Sequence, residues 1–464
     1  MIRNIKYTFN NTIIRSYDIR GIFNKTLHLK DARIIGNLIG IKVGVNNNIN
    51  VGYDGRNSSK PLGKSLIKGI LETGANVFDI GLVPTPTLYY SCVHNNSKAG
   101  IMITGSHNPK EYNGFKILFK NMPLYGDDLK KLEKMALNFQ FKQKSGENKK
   151  IDIRDYYIEN LFRNFKQPNK INIVWDSGNG SSGEIMKSIS KRISGKQKLL
   201  FSKIDGNFPN HHPDPSDPKN LEFCQTEIKK NNYDLGIAFD GDGDRIGVVD
   251  DKARIVPGDM LLLILAKDMI SKNKNSSIIG DVKCSQVLFD EIKKLGGNPI
   301  ISQTGHSHVK VNMKKNNANL AGEMSGHIFF KKNYGFDDAL YASIQIIKIL
   351  SSSKKKLSEM IDEIPKAFNT PEIRIDCDDN KKFKLIDRIA RKQKELKKKI
   401  IDIDGVRVTS KNGWWLLRAS NTQPGIVLRC EGNSPSDLKK EILEVKKAIE
   451  ELEPNLSKKI LIEN

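Results

Sequence analysis

A chain of 464 residues has room for about three domains, and 76 Lys and Arg against 53 Asp and Glu leave it a formal net charge of +23. The longest aliphatic run, residues 260–266, is far too short to span a bilayer, and residues 1–11 lack the apolar core of a signal peptide, so a cytoplasmic protein with no membrane partner is expected. Cys92, Cys224, Cys284, Cys377 and Cys430 are scattered, odd in number and without a C-x-x-C pair, which argues against a disulfide framework or a zinc site.

Residues 49–52 read as a strand, 60–73 as a helix and 77–80 as a second strand. The apolar run 99–104 ends in Gly105-Ser106-His107-Asn108-Pro109, which puts Ser106 at the tip of a strand; Asn108 breaks the G-x-S-x-G elbow of the hydrolases. The lysine-rich segment 142–150 reads as a linker. Strand 171–175 leads into Gly178-Asn179-Gly180-Ser181-Ser182-Gly183 and a helix over 182–193, with Asp205 about where a ribose-binding acid belongs. A nicotinamide-dependent dehydrogenase is therefore a rival reading, although it leaves the other polar loops without a purpose.

Between the apolar runs 235–239 and 246–249, Asp240, Asp242 and Asp244 alternate with Gly241 and Gly243. Three carboxylates on so short a loop repel one another, and a divalent cation relieves that cost. The calcium loop of an EF-hand fails because Arg245 stands at its sixth place, which needs glycine, and because the flanks read as strands; Mg²⁺ with few protein ligands and a phosphate oxygen fits better. Residues 277–280, 285–295 and 299–301 continue the strand, helix, strand alternation. Gly322-Glu323-Met324-Ser325-Gly326-His327 offers an acceptor, a hydroxyl and an imidazole, a chemistry suited to vicinal sugar hydroxyls and a proton transfer. In the basic segment 381–399, Leu385, Ile386, Ile389 and Leu396 recur at near-helical spacing, which predicts one amphipathic helix with a solvated basic face and no specific nucleic-acid partner. The apolar segment 414–417 runs into Arg418-Ala419-Ser420-Asn421-Thr422, whose guanidinium fork, hydroxyls and amide suit a phosphate. A single site assembled from four distant loops points to an enzyme of layered α/β domains.

These motifs, in this order, resemble the alpha-D-phosphohexomutases, and most of all their bacterial phosphomannomutase/phosphoglucomutase branch. The likeness runs from Tyr17-Asp18-Ile19-Arg20-Gly21 through Gly81-Leu82-Val83-Pro84-Thr85-Pro86, the serine loop, Asn113-Gly114-Phe115-Lys116 and the aspartate loop. It continues through Thr304-Gly305-His306-Ser307, the Glu323 loop, Gly335-Phe336-Asp337-Asp338 and the Arg418 loop, nearly the whole chain. The resemblance implies three similar mixed-sheet α/β domains, expected at residues 1–150, 151–254 and 255–366, and a smaller α+β domain at 367–464, around a central cleft that the last domain closes.

It implies that Ser106 carries a phosphoryl group and that Asp240, Asp242 and Asp244 hold Mg²⁺ together with an oxygen of that serine. The phosphoryl passes to a sugar phosphate, giving a hexose 1,6-bisphosphate that turns around before the second phosphoryl returns to Ser106. Arg20 and Arg245 would flank the transferring group, Lys116 and His327 are candidates for moving the hydroxyl proton, and His107 would assist. The resemblance assigns Glu323 and Ser325 to sugar hydroxyls, and Arg418, Ser420, Asn421 and Thr422 to the distal phosphate. Tyr17, Lys283 and His306 match positions that face the substrate. Glucose 1,6-bisphosphate, or its mannose counterpart, is the expected activator, small sugar phosphates are the expected partners, and a monomer or weak homo-oligomer is expected. Met324 resembles the dual mannose/glucose branch, with a phosphoglucosamine mutase as the alternative. The excess positive charge would help to draw in dianionic sugar phosphates.

Overall fold

The computed structural model describes residues 1–420 and 425–457, and within it one small sheet recurs three times. Its strands are Asn48–Tyr53, Asn76–Leu82, Ala99–Ile103 and Tyr112–Phe119 in the first unit. They are Ile173–Asp176, Gln197–Leu200, Leu235–Phe239 and Ile246–Asp250 in the second, and Ser277–Asp281, Asn298–Ser302, Leu320–Gly322 and Ile328–Phe330 in the third. In each unit the spatial order is second, first, third, fourth, with the first three strands parallel and the fourth folded back antiparallel on the third. Parallel neighbours need a crossover, and helices supply it: Ser59–Glu72 and Thr85–His94, then Gly183–Ser190 and Glu222–Asn231, then Gln286–Lys294 and His306–Lys315. Ala99–Ile103, Leu235–Phe239 and Ile246–Asp250 are buried from end to end, as strands covered on both faces must be, which is why they read as apolar runs.

The fourth unit is different. Val406–Thr409, Gly413–Ala419 and Ile426–Gly432 form an antiparallel sheet, extended by Lys399–Ile401, Phe368–Asn369 and Ile373–Ile375. Side chains alternate along Gly413–Ala419. Trp415, Leu417 and Ala419 join a core with Leu385, Ile386 and Ile389 of the helix Asp379–Glu395 and Val445 and Ile449 of the helix Pro435–Glu450. Trp414 and Leu416 point the other way, onto Val282 of the third unit. The adjacent tryptophans thus belong to opposite faces of one strand, as a period of two requires.

Two elements differ from the expectation. The segment 142–150 is not all linker: Asn148–Lys150 pairs in parallel with Asn76–Leu82 as an edge strand, its side chains exposed. The helix expected over 381–399 stops at Glu395, because Lys397 turns left-handed (φ 55°) and the chain re-enters the sheet at Lys399. All five cysteines are free thiols. Among the described residues no helix is long and apolar enough to cross a membrane.

Candidate active site

The serine loop, the aspartate loop and the Glu323 loop occupy the same place in the three units. Each is the turn between the third strand and the antiparallel fourth, closing the pairs Ile103–Phe115, Phe239–Ile246 and Gly322–Ile328. Arg418 lies at the end of the strand Gly413–Ala419, one residue before the pair Ala419–Ile426.

Ser106 is buried and left-handed (φ 51°), its backbone N–H donating to Thr104 Oγ1 at 2.8 Å. Its hydroxyl lies 3.1 Å from Asp240 Oδ2 and 3.2 Å from His107 Nδ1. The two loops touch so closely that a Cβ on Gly241 would fall 2.6 Å from the Ser106 carbonyl oxygen, so only glycine serves there. Asp240, Asp242 and Asp244 are fully buried. Asp240 Oδ1 accepts the N–H groups of Asp244 and Arg245 at 3.0 and 3.1 Å. Asp242 Oδ2 accepts from Thr85 Oγ1 at 2.5 Å and Lys116 Nζ at 2.7 Å, and Lys116 also pairs with Asp244.

One ammonium thus faces three carboxylates. Burial, together with Asp242 and Asp244, pushes Asp240 well above the usual carboxylate range, and burial and Asp242 raise Asp244. Burial acts upward on Asp242 as well, but Lys116 and Thr85 hold it below the ordinary value. The same carboxylates carry Lys116 above the usual ammonium range against its burial. Asp242 Oδ1 and Asp244 Oδ1 are buried without a hydrogen-bond partner, and ligand atoms of the three aspartates lie within 4.8 Å of one another. Stranded hard oxygens at this spacing fit a small divalent cation.

The second and third hairpins are zipped together, with a bridge between Arg245 and His327 and Ile246 N–H donating to Gly326 O at 3.0 Å. Arg245 Nε donates to His327 Nε2 at 3.0 Å. The other ring nitrogen, Nδ1, faces Asp337 Oδ2 at 3.2 Å and Asp244 Oδ1 at 3.6 Å. With Nε2 accepting, the ring proton belongs on Nδ1, toward the carboxylates. Lys310 Nζ balances Asp337 at 2.6 Å and lies 3.2 Å from His306 Nδ1. Burial, Arg245 and Arg20 push His107 well below the usual imidazole value, and burial and Lys310 do the same to His306, so both rings are neutral near pH 7.

The remaining expected residues form a second group. Tyr17 hydroxyl donates to Thr304 O at 3.1 Å, and Gly305 N–H donates to Glu323 Oε1 at 2.5 Å. Ser325 is half-buried in the same turn as Glu323. Lys283 pairs with Glu372 at 2.5 Å, and Arg418 forms a two-pronged pair with Asp404 at 3.1 and 3.2 Å. Tyr17 and Lys283 lie within electrostatic reach of Arg418. Ser420 O accepts from Lys382 Nζ at 2.5 Å; Asn421 and Thr422 lie outside the described residues. Arg20, paired with Asp18, sits on the strand Ile19–Ile22 beside Gly114 and Phe115.

Sequence reasoning missed Thr85, Lys310 and Asp337 as site residues. Thr85 and Asp337 lie inside quoted motifs to which no role was attached, and Lys310 follows His306 by one helical turn. The glycine-rich turn 178–183 is filled by its own chain. A Cβ on Gly180 would meet the carbonyl oxygens of Gly241 and Asp240 at 2.9 and 3.1 Å, and Ser181 Oγ donates to Gly241 O at 3.1 Å. These glycines let the turn buttress the aspartate loop, which leaves no room there for a dinucleotide.

A buried serine against a carboxylate triad, with arginine, lysine and imidazole around it, is the equipment of an enzyme that transfers phosphoryl groups. Comparison with known proteins narrows the class. The phosphoglucomutase/phosphomannomutase models match alpha/beta/alpha domain I at residues 11–143, domain II at 155–253, domain III at 257–368 and the C-terminal domain at 372–448. A phosphomannomutase/phosphoglucomutase of Pseudomonas putida is 42% identical over 93% of this chain and 94% of its own length. A phosphoglucomutase of Neisseria gonorrhoeae is 39% identical over 96% of this chain and 98% of its own. The crystal structure of a phosphoglucomutase/phosphomannomutase family protein from Burkholderia thailandensis superposes with a TM-score of 0.90 at 36% identity, covering 97% of this chain and 99% of that one. The chain belongs to the phosphoglucomutase/phosphomannomutase family of mutases.

Proposed function

We propose that this enzyme interconverts hexose 1-phosphate and hexose 6-phosphate, with mannose and glucose as its sugars, through a phosphoserine at Ser106 and a hexose 1,6-bisphosphate. The observation that carries the reading is Ser106 Oγ lying 3.1 Å from Asp240 in a buried pocket shared with Asp242, Asp244, Lys116, Arg245 and His327. Asp240, Asp242, Asp244 and the Ser106 oxygen would hold Mg²⁺, which when bound neutralises charge on the transferring phosphoryl group.

Arg245 and Arg20 flank that group. The free sugar hydroxyl attacks phosphorus, the bond to Ser106 Oγ breaks, and the hydroxyl proton leaves with a nearby base. His327 suits that task better than Lys116. Its Nε2 lone pair is directed at Arg245, whereas Lys116 spends its N–H groups on Asp242 and Asp244. Once Arg245 engages phosphoryl oxygens, Nε2 is open to the hydroxyl. After the bisphosphate turns around, Ser106 Oγ attacks the other phosphorus and the freed sugar oxygen takes the proton back. Glu323 and Ser325 receive the sugar hydroxyls, and Arg418, Ser420, Asn421 and Thr422 hold the distal phosphate beside Tyr17 and Lys283, while His306 faces the substrate from its place next to His327. Every group in this cycle sits on one chain, so a monomer or weak homo-oligomer in the cytoplasm suffices.

³¹P NMR of the protein with Mg²⁺ and a trace of glucose 1,6-bisphosphate tests the reading. Mannose 1-phosphate and glucose 1-phosphate are converted to 6-phosphates faster than glucosamine 1-phosphate, and a chelator stops the reaction. Release of inorganic phosphate alone would mean hydrolysis instead. Preference for glucosamine 1-phosphate would make the enzyme a phosphoglucosamine mutase.

A further inference from the structure

In each unit an aspartate ends the first strand or directly follows it, and its Oδ1 accepts the N–H two residues on: Asp54 from Arg56 at 3.0 Å, Asp176 from Gly178 at 2.8 Å and Asp281 from Lys283 at 3.1 Å. The same turn therefore places Arg56, Gly178 and Lys283 at equivalent points of the three units. Lys283 is assigned to the substrate and Gly178 opens the turn whose Gly180 and Ser181 pack on the aspartate loop, which leaves Arg56 without a role.

The Arg56 side chain is completely buried, and it faces the back of the serine loop. Nη2 donates to the carbonyl oxygens of Ser106 and Asn108, both at 2.6 Å. Nη1 donates to Pro109 O at 2.6 Å and Tyr112 O at 3.2 Å, and Nε to Asp54 Oδ2 at 3.2 Å. All of its N–H groups are thereby used, and four of the five acceptors are main-chain atoms of the segment that carries the nucleophile. Asp54 also fastens the other end of that loop, accepting from Thr104 Oγ1 at 2.8 Å and Gly105 N–H at 3.2 Å. The guanidinium also lies 5.1 Å from the ring centroid of Phe208, a residue of the second unit, and next to it Asn57 Nδ2 donates to Asn207 Oδ1 at 3.3 Å.

We infer that Arg56 is a positioning residue for phosphoryl transfer: it holds the left-handed Ser106 loop from behind and, through Phe208, registers it against the second unit, which carries the aspartate loop. The inference rests on Ser106 being the phosphoryl carrier. A lysine cannot take over, because an ammonium offers three donors from one point and no planar fork.

The test compares wild type with Arg56→Lys as full-length protein with Mg²⁺. It reads steady-state kinetics on glucose 1-phosphate and, by intact mass, the rate at which glucose 1,6-bisphosphate phosphorylates Ser106. A nucleophile displaced by about 1 Å loses about a hundredfold in rate, so kcat and the phosphorylation rate both fall by about that factor while KM stays within about twofold. A folded variant whose kcat and phosphorylation rate stay within about threefold of wild type overturns the inference, as does a rise in KM at unchanged kcat. If Arg56→Lys does not fold, Phe208→Leu serves, since it leaves every hydrogen bond of Arg56 in place. Its kcat falls about fivefold at unchanged KM, in keeping with the roughly 1 kcal/mol of a cation–π contact, and an unchanged kcat overturns the registration. Wild type separates the two claims: if its Ser106 is never phosphorylated, the phosphoserine reading fails and takes this inference with it, whereas a phosphorylated wild type matched by Arg56→Lys sinks the inference alone.

Discussion

Replacing Arg407 by methionine should loosen the grip of the C-terminal unit on the third unit and raise KM far more than it lowers kcat. Arg407 is fully buried, donates through Nη1 to Val282 O and Cys284 O at 2.7 and 2.8 Å and through Nη2 to Gln286 Oε1 at 3.2 Å, and lies 3.7 Å from the centroid of the Trp414 ring. Methionine keeps the apolar stem against the tryptophan but donates nothing. Two carbonyl oxygens are then left buried without partners, each at a cost of about 1–3 kcal/mol. The indole remains pinned to Glu431 at 2.8 Å, and Glu431 to Gln286 N–H at 2.9 Å, so part of the contact survives. A net loss of about 3 kcal/mol in docking is the reasonable expectation. Because Arg418 rides on the same sheet as Arg407, a fraction of molecules would then lack the proposed distal phosphate site, and apparent affinity falls in proportion to that fraction. KM for glucose 1-phosphate should rise about tenfold to a hundredfold, with kcat at saturation within about threefold. Thermal unfolding of the purified variant checks the stability part independently. Unchanged KM and melting temperature would refute the docking argument, and a fall in kcat alone would show that the C-terminal unit acts on the chemistry rather than on binding.

Three further changes probe the site directly. Ser106→Ala should abolish efficient turnover with the fold intact, measured by steady-state kinetics and melting temperature, and full activity would remove the phosphoserine from the cycle. Arg418→Ala removes one charge-assisted contact worth about 1.5–3 kcal/mol, so kcat/KM should fall about tenfold to a hundredfold, chiefly through KM. Glu372, for which burial acts upward but Lys283 more than offsets it, is held down at about 2. A depressed carboxyl stabilises the fold above its unfolded value near 4.5 and loses that contribution as pH falls toward 2. Its side chain is 28% exposed, so solvent screening limits the effect to about 1–2 kcal/mol. Wild type should therefore melt above Glu372→Gln at pH 7, and the gap should narrow below about pH 4.5; a gap independent of pH would assign the effect to packing rather than charge.

What was legible in the sequence shares one physical property: it interrupts a pattern. Glycines and carboxylates set into the apolar run from Leu235 to Asp250 are no part of an apolar strand, and the same contrast exposes the Ser106, Glu323 and Arg418 loops. The repeat itself came from the family resemblance and not from periodicity, because the strands of the three units share an order but not residue types, and strand pairing is set by which runs meet rather than by any run alone. Asn148–Lys150 was unreadable for a related reason: an edge strand with exposed lysines contributes backbone hydrogen bonds and no apolar signal. Nothing local in the sequence marks Lys310 or gives Asp337 a role, because only folding sets them 2.6 Å apart beneath His327.

The repeat explains why the site takes its pieces from such distant segments. A turn between a third strand and an antiparallel fourth emerges at the same end of each sheet, and the three hairpin tips meet, the first against the second at Ser106 and Asp240 and the second against the third at Arg245 and His327. In the proposed cycle each tip carries a different chemistry on the same scaffold: a nucleophile at Ser106, charge-holding oxygens at Asp240, Asp242 and Asp244, and a sugar-binding acid at Glu323 with a base at His327. The turn after the first strand of each unit varies in the same way, through Arg56, Gly178 and Lys283. If that account is right, substitutions at these equivalent turns should damage different steps. Arg56→Lys should slow transfer from Ser106, while Lys283→Ala should weaken sugar phosphate binding and leave the rate of Ser106 phosphorylation at saturating glucose 1,6-bisphosphate within about threefold of wild type. Identical kinetic defects in the two variants would mean that the turns act only by holding the sheets together.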